Sequence, residues 1–301
     1  MVTGHSTPSL ARSRIATTMA KARIFSEAMP FIKAYRDTTV VIKYGGSAMV
    51  DEQLRATSAD DVAILHYVGI RPVIVHGGGP AISRAMGQRG IEPQWVDGLR
   101  ITDAATIRVV QTTLAGEINP DIVRLVNAHG SLAIGVNGLD ANLFVARPRD
   151  ERLGFVGDVS SVNPGLVVGL QEKGFVPVVA PLARGEDGHV YNLNADTAAG
   201  ALARALGARK LVYLTDVEGL YRDLGDEDSL ISQIAVTELE NMLTSTGVSK
   251  GMLPKVQSCI HALRGGVERV HILDGRIQHA LLLEIFTPEG IGTMITMEET
   301  P

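Results

Sequence analysis

Val73-Ile-Val-His-Gly-Gly-Gly-Pro-Ala-Ile82 is the stretch on which the fold turns. Val73 to Val75 form a short β-branched run, as a strand buried on both faces would show. Three glycines follow, and Pro80 suits the first position of a helix predicted over Ala81–Arg89. A strand, a bare glycine turn and a fresh helix N-terminus make an anion site: backbone N–H groups point outward, no Cβ blocks approach, and the helix end carries partial positive charge. A second turn of this kind lies upstream in Val40-Val-Ile-Lys-Tyr-Gly-Gly-Ser47, with Lys43 just ahead of its glycines. Two glycine-lined strand ends and a lysine point to phosphate chemistry, although tight strand-to-helix turns need glycine whatever they bind.

Outward from these turns, strand and helix patterns alternate. Helices are predicted over Glu52–Val68, from a cap at Thr102 or Asp103 to about Ala128 with an interruption at Asn119-Pro120, and over Pro164–Lys173 and Ala198–Leu206. Strands are predicted at Leu132–Val136, Val176–Val179, Val190–Leu193, Leu211–Leu214, Val270–Leu273 and Gly292–Thr296. Gly138 to Asp158 reads as irregular or hairpin-like, with Leu143–Ala146 extended. Thr237 and Glu240 form a capping-box pattern for a short helix to Leu243. Such alternation implies a mostly parallel sheet covered on both faces, with ligands at the carboxyl ends of its strands.

The chain has 301 residues, 45% apolar but only 4% aromatic, enough for a large aliphatic core in one domain with two lobes. A net charge of −5 gives no general attraction to nucleic acid or anionic membranes. No apolar run reaches the ~18 residues that cross a bilayer. The lone Cys259 fits a reducing, cytoplasmic setting, and its neighbours Val256, Ile260 and Leu263 mark it as a packed core thiol. Residues 1–23 lack Asp and Glu but carry four Arg or Lys residues, and read as a flexible N-terminal arm. An apolar stripe at Ile24, Phe25, Ala28, Met29, Ile32 and Tyr35 predicts a helix that Pro30 must kink or divide. It has no slot in the sheet, so it packs on its own domain or on another subunit.

Two nucleotide motifs are disfavoured by reading. A P-loop needs Gly-Lys followed by Ser or Thr, and no Gly-Lys pair occurs; the dinucleotide fingerprint does not fit Gly45-Gly-Ser-Ala48. Instead, Ile42-Lys-Tyr-Gly-Gly46, Val75-His-Gly-Gly-Gly-Pro80, Gly98-Leu-Arg100, Asn192-Leu-Asn-Ala-Asp196 and Lys250-Gly-Met-Leu-Pro-Lys255 resemble, in order and spacing, the amino acid kinase family. The resemblance covers about Val40 to Ile295. It implies a three-layer αβα sandwich around a mainly parallel sheet over 38–301, with an acyl-amino-acid lobe to about residue 190 and a nucleotide lobe beyond it. Gly98-Leu-Arg100 with Asn192 and Asp196 narrows it to the branch that phosphorylates the side-chain carboxylate of N-acetyl-L-glutamate with MgATP.

Phosphoryl transfer to a carboxylate brings two anions together. The acceptor is already ionised at neutral pH, so no general base is needed, and the load falls on positioning and fixed positive charge. By the resemblance, Lys43 and Lys255 flank the phosphoryl group, Asp196 orients both ammonium groups, and Gly45, Gly46, Gly78 and Gly79 supply N–H donors. Arg100 grips the α-carboxylate and Asn192 the acetylated end. Nucleotide binding falls on Thr215, Asp216 and Gly219 and on Lys250, Gly251 and Met252, with Mg2+ brought by ATP rather than held by protein ligands. Taken without the resemblance, Lys43 reads as an edge residue, Asp196 as a helix cap, and His76 as a turn residue.

The helix before Val40 and the Glu284-Ile-Phe286 and Gly290-Ile-Gly292 ending resemble the arginine-inhibited branch. That implies a hexamer built as a trimer of dimers through a helix at 24–37, and L-arginine bound near Lys210, His271, Glu284 and Gly290. A PII-type signalling protein is compatible as a further partner. A kinase for a related acid such as N-acetyl-aminoadipate, and a non-catalytic arginine-sensing protein, stay open as alternatives.

Overall fold

The computed structural model describes residues 10–49, 51–223, 225–245, 252–288 and 290–298. An eight-stranded sheet runs, edge to edge, Gln233–Ala235, Thr293–Thr296, Arg269–Asp274, Lys210–Thr215, Thr39–Tyr44, Arg71–His76, Val176–Ala180 and Ala133–Asn137. Only the pair of Arg269–Asp274 with Thr293–Thr296 is antiparallel. The period-2 alternation of buried strands divides the core. Val41, Val73, Val75, Leu211 and Tyr213 pack under Leu202, Val256 and Cys259, while Val40, Ile42, Ile74, Val212 and Leu214 pack under Val62, Leu65, Ile122 and Ile285. Helices therefore cover both faces, as the alternation of elements implies, and Cys259 is a fully buried core thiol.

The segment expected to be hairpin-like is part of a closed four-stranded barrel. Phe144–Pro148 pairs antiparallel with Val156–Val162, and Leu182–Gly185 and Val190–Leu193 complete the ring. Short strands from separate parts of the chain leave no periodic signal, so the sequence does not show the closure.

Several local expectations change. The N-terminal helix runs Leu10–Tyr35, so residues 10–23, expected as part of an arm, are helical; residues 1–9 lie outside the described residues. Pro30 sits inside that helix without dividing it. Phe31 and Tyr35 join the core, but Ile15, Met19, Ile24, Phe25 and Met29 are exposed. Asp103, not Thr102, caps the next helix, accepting from the N–H groups of Ala105 and Thr106. The interruption before Asn119 is a π-helical stretch, Thr112–Ile118, which joins Ala104–Gln111 to Asn119–Asn127. Thr237 does not cap, because the helix Val236–Ser245 starts directly from the strand ending at Ala235.

Candidate active site

The central strand Thr39–Tyr44 pairs with Arg71–His76 on one side and Lys210–Thr215 on the other, and the chain winds outward in opposite directions from it. A crevice opens at the carboxyl ends of strands where the order reverses in this way. Lys43, the Gly77–Gly79 turn and Thr215-Asp216 all lie at those ends.

Lys43 and Lys255, 212 positions apart in sequence numbering, converge on one carboxylate. Lys43 Nζ is 3.1 Å from Asp196 Oδ1, and Lys255 Nζ is 2.9 Å from Asp196 Oδ2. Asp196 is not the helix cap. Asn194 caps Ala195–Ala205 by accepting from the N–H groups of Asp196 and Thr197, which frees the Asp196 side chain for the lysines. Lys255 enters from the first turn of Leu253–Arg264, opened by Pro254. Burial pushes the Asp196 carboxyl up, but Lys43 and Lys255 outweigh it and bring the value down to about 2. Burial also lowers the Lys255 ammonium, with Asp196 opposing. Two ammonium groups sharing one carboxylate leave this cluster with one net positive charge.

The glycines are needed where they stand. A Cβ on Gly45 would lie 2.3 Å from Lys43 Nζ, and one on Gly46, whose φ is +69°, would lie 2.4 Å from Asp216 Oδ1. A Cβ on Gly78 would meet Leu114 and Ile118 of the π-helical stretch at 2.6 Å. Gly79 begins the helix Gly79–Gly87, with Pro80 next.

Two cavities share this turn. The larger, about 370 Å³, is lined by Lys43, Gly45, Gly46, Gly77–Gly79 and Arg84. The smaller, about 180 Å³, lies between the same glycines, Trp95, Gly98, Arg100, Asn192 and Asn194. Arg100 is buried, and its Nη2 donates to Gly79 O at 3.1 Å and Ser83 Oγ at 2.7 Å. The Trp95 ring lies 4.4 Å from its guanidinium carbon. A cation thus faces a cavity sized for a small acid, beside a glycine-walled cleft sized for phosphate.

The remaining expectations divide. Thr215 and Asp216 stand near Gly46 and Gly275, whose N–H donates to Thr215 O. Gly219 instead backs onto Thr293, where a Cβ would be 2.5 Å from Oγ1. Met252 is partly buried against the core, and Lys250 and Gly251 lie outside the described residues. Lys210, His271, Glu284 and Gly290 do meet, around a cavity of about 260 Å³ that Phe31 and Tyr35 of the N-terminal helix also line. His271 Nδ1 lies 2.5 Å from Glu284 Oε1, and Lys210 Nζ sits 4.7 Å from the Tyr35 ring centre. Burial brings the Lys210 ammonium down to about 8 against the pull of Glu284. A Cβ on Gly290, at φ +62°, would be 2.9 Å from Glu284 Oε2.

Three further residues at the site carry no signal in the sequence. Tyr213 shares a hydrogen bond of 2.7 Å with Ser258 Oγ, which donates to Asp196 O at 2.8 Å, and Lys255 Nζ lies 5.1 Å from the Tyr213 ring centre. Asn119 is buried behind the glycine turn. A buried Tyr in a strand and a Ser or Asn in a helix look like packing until their partners are known.

The model of the amino acid kinase family matches residues 38–274. A relative described as acetylglutamate kinase, from Thermoanaerobacter sp. (strain X514), is 47% identical over 95% of this chain and 97% of its own length. Another of that description, from Nostoc punctiforme, is 49% identical over 93% and 94%. Among solved structures, N-acetylglutamate synthase from Neisseria gonorrhoeae, complexed with coenzyme A and N-acetyl-glutamate, superposes with a TM-score of 0.81 at 29% identity. The match covers 93% of this chain and 64% of that one. The same synthase complexed with coenzyme A and L-arginine gives 0.76 at 28% identity, over 92% and 65%. On its fold, its glycine-lined switch point and these relatives, the chain belongs to the amino acid kinase family.

Proposed function

We propose that this protein transfers the γ-phosphoryl group of ATP to the side-chain carboxylate of N-acetyl-L-glutamate. The observation that carries this is the convergence of Lys43 and Lys255 on Asp196, within a glycine-walled crevice that adjoins the Arg100 cavity. The glycine turns and the net positive charge fit a polyphosphate. Magnesium, carried with the nucleotide, would offset phosphate charge there. Lys43 and Lys255 stabilise the equatorial oxygens, and Asp196 holds both lysines in place without taking a proton. Thr215, Asp216, Gly219 and Met252 are the described residues proposed for the nucleotide side. The relatives' description as acetylglutamate kinases supports the acceptor. The activity suits an enzyme of arginine biosynthesis in the cytoplasm, and among the described residues no helix is long and apolar enough to cross a membrane.

ADP release with MgATP and a panel of acids tests the reading. N-acetyl-L-glutamate is expected to be the best acceptor, with N-acetyl-aminoadipate weaker, since one methylene is worth about 1–3 kcal/mol in a pocket. No ADP with any acid would instead favour a non-catalytic arginine-sensing protein. Arg100→Lys is expected to raise KM for the acid with kcat nearly unchanged, because a lysine cannot reproduce the planar fork but the bond is made equally in both states. A kcat collapse at constant KM would contradict that role.

L-arginine is proposed as an inhibitor in the cavity formed by Lys210, His271, Glu284 and Gly290. The carboxylate of Glu284 is buried, not a solvated surface charge, so a guanidinium there meets a partner of real strength. The solved relative that holds L-arginine supports the ligand. The exposed apolar residues Ile24, Phe25 and Met29 support a helix that interlaces with a second copy, in a hexamer of three dimers. Deleting residues 1–36 is expected to convert hexamers to dimers in sedimentation and to blunt inhibition. A truncated protein that stays hexameric and equally inhibited would refute both parts.

A further inference from the structure

We propose that His76, held by Asn119, is a positioning residue: it fixes the Gly77–Gly78 peptide so that the Gly78 N–H faces the phosphate cleft. The inference rests on the phosphoryl-transfer reading above. His76 ends the strand Arg71–His76 and is wholly buried. Its Nδ1 is 2.9 Å from Gly77 O. A carbonyl can only accept, so Nδ1 carries the hydrogen and Nε2 is bare. That bare nitrogen is 3.2 Å from Asn119 Nδ2, whose two hydrogens are shared among it, Val178 O at 2.8 Å and Val136 O at 3.3 Å. The imidazole is thus locked in one neutral tautomer; burial lowers its value to about 4.

The consequence follows from peptide geometry. The chain contains no cis peptide bond among the described residues, and in a trans peptide the C=O and the next N–H point to opposite sides. Drawing the Gly77 carbonyl back to the imidazole turns the Gly78 N–H the other way, toward the cavity that Lys43 and Gly77–Gly79 line. Glycine on both sides makes a flipped peptide sterically cheap, and a flip would aim a carbonyl oxygen at the phosphate. The turn therefore needs an outside hold. The Gly77 N–H is tied as well, to Tyr44 O at 2.8 Å. Asn119 reaches its place because the π-helical stretch advances the chain there, and because Gly135 opposite lacks a Cβ, which would lie 2.0 Å from Asn119 Oδ1. A buried polar pair costs more than an apolar filling of that shape, and orienting the donor accounts for its presence.

The test compares His76→Leu and His76→Asn with the parent, using N-acetyl-L-glutamate and MgATP. Leucine is expected to lower kcat by about 10–100-fold, less than loss of a donor outright, with KM for the acid nearly unchanged. Asparagine, whose Nδ2–H can take the place of the ring Nδ1–H, is expected to recover most of that loss. Nitrogen-15 spectra of the histidine-labelled parent, which need no variant to fold, should show His76 as the neutral Nδ1–H form. A leucine variant with parental kcat, an asparagine variant as slow as leucine, or the Nε2–H form overturns the proposal. A parent that makes no ADP overturns the phosphoryl-transfer reading and this one with it, whereas an active parent indifferent to His76→Leu overturns this one alone.

Discussion

Lys43→Ala is expected to lower kcat by about 10²–10³-fold, and Lys255→Ala by a similar factor, the scale for losing one fixed donor to a developing anion. Neither lysine has a proton to move, since the acceptor carboxylate is already ionised. The contribution proposed for them is charge held where negative charge spreads in the transition state, and both side chains are largely buried from the water which would screen it. Lys43→Arg should not rescue. Lys43 Nζ lies against Gly45, where an added Cβ would stand 2.3 Å from it, and the longer, planar guanidinium of arginine cannot put its charge at that same point. For the same reason Gly45→Ala should displace the ammonium, with little loss of stability because the lysine end is flexible, yet at a cost of up to about 10²-fold in kcat. Stopped-flow ADP release and thermal unfolding of the variants separate the two effects. Full activity in either variant would remove that lysine from the chemistry.

Asp196→Ala has a different signature, because it strikes stability as well as rate. It leaves two largely buried ammonium groups with no counter-charge, a change worth about 3–5 kcal/mol when one partner of a buried ion pair is removed. The double variant Asp196→Ala/Lys255→Met should recover part of that stability in urea unfolding, since the second change removes a stranded charge, while activity stays lost. A double variant no more stable than the single would contradict the picture. The pH dependence has a definite sign. The folded carboxyl is depressed to about 2, below the ordinary value of about 3.9, so its stabilisation is complete above the ordinary value and is lost as pH falls through the folded one. Between neutral pH and about 5, acid should not weaken this cluster.

The aliphatic runs at Val73–Val75 and Leu211–Leu214, the glycine turns and the alternation of elements determined a parallel sheet with phosphate chemistry at its strand ends, because hydrophobic period and glycine placement are local properties of the chain. The family motifs supplied the roles proposed for Lys43, Arg100, Asp196 and Lys255. Tertiary structure alone decided that Asn194, two residues earlier, takes the cap and frees Asp196 for two lysines. It also decided that a π-helical stretch brings Asn119 to His76, and that four short strands close a barrel. Caps compete among neighbouring polar residues, and the outcome depends on what else each side chain can reach. Hydrogen bonds such as His76 to Asn119, 43 positions apart, have no local signature, since an Asn in a helix reads alike whether it faces water or a buried imidazole.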